Sequence, residues 1–286
     1  MPFILAIMSS VLYGTADFLG GFGSRRAPVV TVTLWSQALG LIALLIAAPF
    51  IAGVTRQTDL MWGVGAGITG GAGVWLLYRA LATGTVSIAA PLISMIALLV
   101  PVTVGLVSGE RPGMLALAGV AVGVLAVLLI SGGGSQADAK GDAPARMSRA
   151  ALLSAVASGV LVGGFLVCLG QIAPGASLWP LVTVRATGTL LIGLVLIVQR
   201  APARAPAVAV PAIVGAGVAD VAANLCYVEA AAHGPLSIIA TIVSLAPAAT
   251  VLLAQIVFRE RLSTPQKVGV GFALIAVVLL ARGSAG

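Results

Sequence analysis

The chain of 286 residues is 60% hydrophobic and 8% charged, with a formal net charge of +7. Soluble domains carry about 25% charged residues, so this composition excludes a water-facing surface over most of the molecule. The positive charge is no sign of nucleic acid: the basic residues sit between apolar runs, where lipid headgroups meet the chain, and no nucleic-acid motif is present.

Ten apolar runs fall near 2–22, 29–52, 60–82, 86–107, 113–131, 149–170, 177–199, 206–231, 235–257 and 264–281. Each approaches the roughly 20 residues a helix needs to cross a bilayer core of about 30 Å. They are too long for barrel strands, which need about 9–11 residues. The first run has no basic segment before it and is read as a helix, not a signal peptide. It carries Ser10, Tyr13 and Asp17 at spacings of three and four, hence on one helical face. The second carries a weaker polar pair, Thr33 and Gln37. In the third, Trp75 and Tyr78 are expected to line a cavity, and Gly63, Gly67 and Gly71 form a close-packing face. The fourth contains Ser87, Pro91, Ser94 and Pro101, and its prolines predict kinks.

After the fifth run comes the longest polar connection, 132–148, whose Gly, Ala and Asp predict a flexible linker. Arg185 lies within the seventh run. The eighth has the clearest polar stripe: Asp220, Asn224 and Tyr227 at i, i+4 and i+7. Glu229 and His233 close it as an interfacial pair. The ninth holds Thr241, Ser244 and Gln255 around Pro247, and a second proline-weakened helix is expected there. Trp62 and Trp179 stand at run ends as interface anchors. Cys168 and Cys226 lie inside runs without metal-ligand spacing.

The central position of the linker invites a search for a repeat. At an offset of 150, Val64-Gly65-Ala66-Gly67 meets Val214-Gly215-Ala216-Gly217, and Glu110-Arg111 meets Glu260-Arg261. Ala80, Ser87 and Ile88 meet Ala230, Ser237 and Ile238 at the same offset. At 149, Ser9, Val11, Leu12 and Gly14 meet Ser158, Val160, Leu161 and Gly163. The units are 1–131 and 149–286, each with five spans. An odd number of spans inverts the second unit relative to the first. The fold class is therefore an all-α membrane protein of ten transmembrane helices in two inverted five-helix repeats, a plan that places a substrate site near the midplane.

Five plus five helices, with Gly109-Glu110-Arg111 after the fourth and Arg259-Glu260-Arg261 after the ninth, resemble the EamA-type branch of the drug/metabolite transporter superfamily. The resemblance covers essentially the whole chain. It implies a carrier of the bacterial inner membrane, often an exporter of amino acids, other metabolites or toxic compounds. It also implies a cavity lined mainly by spans 1, 3, 4, 6, 8 and 9. It does not name a substrate.

Loop Lys and Arg residues crowd one face: Arg25, Arg26, Arg79, Lys140, Arg146, Arg149, Arg200, Arg204, Arg259, Arg261 and Lys267, against Arg56, Arg111 and Arg282 on the other. The positive-inside rule then puts both termini outside the cytoplasm.

Ionisable groups inside a span are costly and therefore functional candidates. Asp17 reads as a cavity carboxylate for a cation, proton or substrate amine, or as a helix-end group tied to Ser24, Arg25 or Arg26. Asp220 reads as a substrate or proton group, or as the structural partner of Arg185. Arg185 neutralises Asp17 or Asp220, binds a substrate carboxylate, or snorkels to an interface. Glu110 and Glu260 are expected to brace inter-helix loops. Pro91, Pro101 and Pro247 are expected gating points. The leading expectation is a secondary carrier of a small molecule, with the bilayer as its solvent and a proton as coupling ion. No phosphate-binding loop for ATP is present, and no metal or other cofactor is expected. The alternative of a membrane-embedded enzyme on a lipid substrate lacks clustered His or carboxylates, and that of a channel lacks a filter loop or acidic ring.

Overall fold

The computed structural model describes residues 1–83, 86–133, 148–259 and 262–283. Within them, the side chains of Tyr78, residues 81–83, Val86, Ser87 and Gly133 are not described. Most of the expected linker, together with Glu260 and Arg261, lies outside the described residues.

Lipid offers no partner to backbone N–H and C=O groups, so each apolar run closes its own hydrogen bonds as a helix. The helices are α1 (Pro2–Ser24), α2 (Val29–Ala47), α3 (Gln57–Thr83), α4 (Val86–Val107), α5 (Met114–Gly133), α6 (Arg149–Gly170), α7 (Trp179–Gln199) and α8 (Val210–Ala232), followed by α9 (Leu236–Val243), α10 (Ala246–Phe258) and α11 (Thr264–Gly283). Among the described residues, ten spans are long and apolar enough to cross a membrane, α9 and α10 together forming the ninth. That break follows from Pro247, which has no N–H to continue the ladder from Val243. The turn closes instead through Leu245 N–H to the Ile242 carbonyl (3.1 Å) and Ala248 N–H to that of Leu245 (2.9 Å). Span 4 remains one helix through Pro91 and Pro101.

α1 begins and α11 ends on one face, here called the terminal face; the α1–α2 and α7–α8 connections, with Arg25, Arg26, Arg200 and Arg204, lie on the other, the basic face. The most extensive helix contacts run between the repeats. α3 packs on α6 as α8 packs on α1, α4 packs on α6 as α9 and α10 pack on α1, and α3 packs on α7 as α8 packs on α2. α2 meets α7 and α5 meets α11, its own equivalent in each case. This is the contact pattern of a pseudo-two-fold axis in the membrane plane. It also means that the repeats interleave and neither has a core of its own.

Small residues permit that interleaving. Gly63 and Gly67 of α3 sit against Pro180, Thr183, Val184 and Thr187 of α7. Gly163 of α6 meets Ala97 and Val100 of α4, and its equivalent Gly14 of α1 meets Ala246 and Ala249 of α10. The glycine faces legible in the sequence are thus internal seams. On the terminal face the connections pair across the repeats: Val54 bridges Ala176, and the Asp59 carboxylate accepts Ala173 N–H at 3.1 Å.

The Gly-Glu-Arg motif has a local explanation. Gly109 takes φ +98 and ends α4, with Gly109 N–H on the Leu106 carbonyl (3.2 Å) and Glu110 N–H on that of Gly105 (3.0 Å). This paired closure requires a left-handed residue, which glycine supplies without strain. It aims Glu110 across to the second repeat, where one carboxylate oxygen accepts Leu236 N–H (2.6 Å) and the other accepts Ser237 N–H (3.0 Å) and the Ser237 hydroxyl. Glu110 therefore caps α9. In the second repeat the matching left-handed position is Arg259, at φ 54.

Candidate functional site

Between the repeats lies a cavity of about 440 Å³. α1 contributes Tyr13, Ala16, Asp17, Gly20, Gly21 and Ser24, and α2 contributes Val29, Val32, Thr33, Ser36 and Gln37. Gly70 and Val74 of α3, Val162 and Phe165 of α6, Val184 and Arg185 of α7, and Ala216 and Asp220 of α8 complete it. Tyr13 is the twelfth residue of the 23-residue α1, so it stands near the membrane midplane. Ser24 and Val29 flank the α1–α2 connection, so the cavity extends from the middle toward the basic face. Equivalent positions face each other across it: Tyr13 and Val162, Ala16 and Phe165, Gly70 and Asp220. The chemistry does not share that symmetry.

The polar side chains form a connected set. Arg185 is 3% exposed. One of its terminal nitrogens pairs with the Asp220 carboxylate and donates to Gln37 Oε1 at 2.5 Å. The other, Nη2, is buried and has no hydrogen-bond partner among the described residues. Asn224 donates to the Asp220 backbone carbonyl at 2.6 Å and accepts the Tyr13 hydroxyl at 2.8 Å. Four helices, α1, α2, α7 and α8, are thus joined by side chains around one point. Desolvating a guanidinium demands such partners. Gly40 of α2 lets α8 approach beside it, since a methyl there would stand 2.9 Å from Val221.

Asp17 faces the same cavity, about 6 Å further along α1 than Tyr13 at 1.5 Å per residue. Among the described residues it forms no salt bridge, so two carboxylates share one guanidinium and Asp220 holds it. The site therefore offers one open polar function, the Asp17 carboxylate, and behind its wall a buried guanidinium nitrogen with unpaired N–H groups.

Of the residues singled out from the sequence, Tyr13, Asp17, Thr33, Gln37, Arg185 and Asp220 line this cavity, and Asn224 stands behind Tyr13. Of the three partners considered for Arg185, the structure places Asp220, and not a lipid interface, against it. Tyr227 does not reach the cavity: it is fully buried and donates to the Leu166 carbonyl at 2.9 Å, joining α8 to α6. Trp75 is 38% exposed, away from the cavity, with Arg79 over its ring at 6.0 Å. The Tyr78 side chain lies outside the described residues. Glu229 and His233 form an exposed pair at a helix end, 3.5 Å apart. Pro91, Pro101 and Pro247 are not among the lining residues. Val162 and Phe165 are lining residues that the sequence reading missed. Their equivalence to Tyr13 and Ala16 at the offset of 149 was the available signal. Asp59 was missed as well; it is buried and ties two connections together, but it stands outside the cavity.

A search of curated protein sequences finds no match. The model of the EamA-like transporter family matches residues 1–132 and again 149–282. Among solved structures, 29 chains match. One, described only as "Crystal structure of protein", superposes with a TM-score of 0.80 at 17% identity, covering 99% of this chain and 97% of its own. At that identity the likeness concerns the fold.

Proposed function

Because the chain belongs to the EamA-like transporter family, within the drug/metabolite transporter superfamily, we propose that it is a secondary carrier exporting a small polar metabolite of the amino-acid type. The observation that carries this reading is the unequal charge of the cavity: Asp17 uncompensated, Arg185 paired with Asp220 but keeping one free nitrogen. An ammonium group suits Asp17, and a carboxylate suits Nη2 of Arg185 once the guanidinium turns from its buried position toward the cavity. A volume of about 440 Å³ suits a compact substrate.

In this reading residues 1–131 and 149–286 are the repeat units, joined by 132–148 as a flexible linker. They interleave too closely to rock as separate bodies. The moving parts are instead mixed bundles, α3, α4, α6 and α7 against α1, α2, α8, α9 and α10, with the polar cluster of Arg185 at their boundary. The protein sits in the bacterial inner membrane with the basic face toward the cytoplasm. The described cavity is then loaded from the cytoplasm, and Asp17 exchanges substrate ammonium for a proton during the return. Pro91 and Pro101, inside α4, and Pro247, at the α9–α10 break, soften the helices that bend.

Counterflow of radiolabelled amino acids in liposomes, with wild type and Asp17→Asn, tests the proposal. Substrate-dependent counterflow is expected for wild type, with loss of roughly a hundredfold in the variant, as for a lost charged contact. Wild-type rates in Asp17→Asn would overturn the role given to Asp17. A C-terminal reporter active only in the cytoplasm would overturn the orientation.

A further inference from the structure

The cap that Glu110 places on α9 lies far from the cavity and on the opposite side of the membrane midplane. α4 ends, and α9 begins, at the terminal face, whereas the cavity extends toward the basic face. Glu110 lies between the first repeat and the second, and across the boundary between the two mixed bundles. Its carboxylate takes two backbone N–H groups and the Ser237 hydroxyl. An anion at a helix N-terminus with that many donors is a strong local tie.

Behind this tie the terminal-face half is packed shut. Every residue of α9 from Ser237 to Val243 is buried. Ser9 and Ser10 of α1 are buried as well, Ser9 donating to the Ala223 carbonyl of α8 at 2.8 Å. The equivalent start of α4 is in a different state: Ile88 is 48% exposed, whereas Ile238, its match at the offset of 150, is 1% exposed. The two sequence-equivalent helix starts thus differ in packing, the capped one enclosed and the other partly at the surface. Moving α9 away from α4 is the motion that would open a path from the terminal face, and it breaks every one of these hydrogen bonds.

We propose that Glu110 is the lock of the terminal-face gate, a positioning residue that sets how often the carrier opens to that side. The proposal rests on the carrier reading above, in which the two mixed bundles open the cavity to one face and then to the other. The cap forms only while the terminal face is shut, so its strength biases the population of the two access states. A mere brace of the fold would contribute equally to both states and leave their ratio unchanged.

The test reads that ratio directly. In a background carrying Cys168→Ala and Cys226→Ala, Ala16→Cys reports the cavity and Ser10→Cys reports the packed side. Ser10 shares the helical face of Tyr13 and Asp17. A membrane-impermeant maleimide is applied to right-side-out and to inside-out vesicles. With Glu110 intact, Ala16→Cys is labelled from the basic face and Ser10→Cys is protected. Glu110→Gln is expected to raise labelling of Ser10→Cys from the terminal face, and to lower that of Ala16→Cys from the basic face, shifting the ratio by roughly tenfold, the size of lost hydrogen bonds to a charged acceptor in one state. Ser237→Ala shifts it less, and Glu110→Asp partly restores it. Glu110→Gln is nearly isosteric and carries the test where Glu110→Ala does not accumulate. An unchanged ratio alongside a lower unfolding temperature overturns the lock and makes Glu110 a brace. Labelling needs no substrate, so that result leaves the carrier reading standing. Absent counterflow with a shifted labelling ratio does the reverse.

Discussion

The ion pair of Arg185 and Asp220 permits a prediction with a built-in asymmetry. The Arg185 side chain is 4% exposed and that of Asp220 is 30% exposed on the cavity wall. Asp220→Ala leaves the guanidinium buried with Gln37 as its remaining side-chain partner, and breaking a buried pair in this way costs about 3–5 kcal/mol. Arg185→Leu leaves a carboxylate that cavity water reaches, so the cost drops to about 1–2 kcal/mol. The double variant buries no unpaired charge and is expected to be more stable than Asp220→Ala alone. For a chain of this size the two single variants should differ by roughly 4–12 °C in unfolding temperature, at about 2–4 °C per kcal/mol. Tryptophan fluorescence during thermal unfolding in detergent measures all four forms under one condition. Arg185→Leu as destabilising as Asp220→Ala, or a double variant showing the sum of both losses, would refute the reasoning.

Other expectations follow from single contacts. Tyr227→Phe removes the hydrogen bond to Leu166 and costs about 1 kcal/mol, with counterflow unchanged, because the ring does not touch the cavity. Reduced substrate affinity in that variant would return Tyr227 to the site. Arg259→Gly relieves a left-handed backbone at φ 54 and raises the unfolding temperature, by the equivalent of about 1 kcal/mol; a lower temperature would show that the Arg259 side chain holds α10. Gly14→Val sets its Cβ 2.5 Å from the Ala246 carbonyl oxygen, so the α1–α10 seam must part at a cost of about 1–3 kcal/mol. Unaltered stability there would mean that the seam is looser than the structure has it.

The ten spans were legible because lipid imposes one length and one composition on every crossing element. The repeat was legible because Glu110-Arg111 and Glu260-Arg261 rise above a background of small apolar residues. Periodicity also placed Ser10, Tyr13 and Asp17 on one face. It does not say what a face meets. Tyr227 belongs to the stripe of Asp220 and Asn224 at i+7, yet it turns to α6, because α8 is bordered by α1, α2, α6 and α9 and the Leu166 carbonyl of α6 accepts its hydroxyl. Trp75 looked like a lining aromatic, but Gly70 and Val74 hold the cavity-facing stripe of α3. Gln37 seemed minor until Arg185, 148 residues away, needed an acceptor. The role of Glu110 was half visible: a brace was expected, but its recipient across the repeat boundary was not.

The interleaving of the repeats has a consequence for biosynthesis. When the first five helices have entered the bilayer, the seams of α3 for α6 and α7, of α4 for α6, and of α5 for α11 are all uncovered. About 155 further residues must be made before the last of these partners exists. At roughly 5–20 residues per second, that interval lasts about 8–30 s. During it, glycine-lined seams such as Gly63–Gly67 face lipid or any other helix nearby. The half-made chain is therefore the form most exposed to wrong partners and to membrane proteases, and its survival depends on how fast the second repeat arrives.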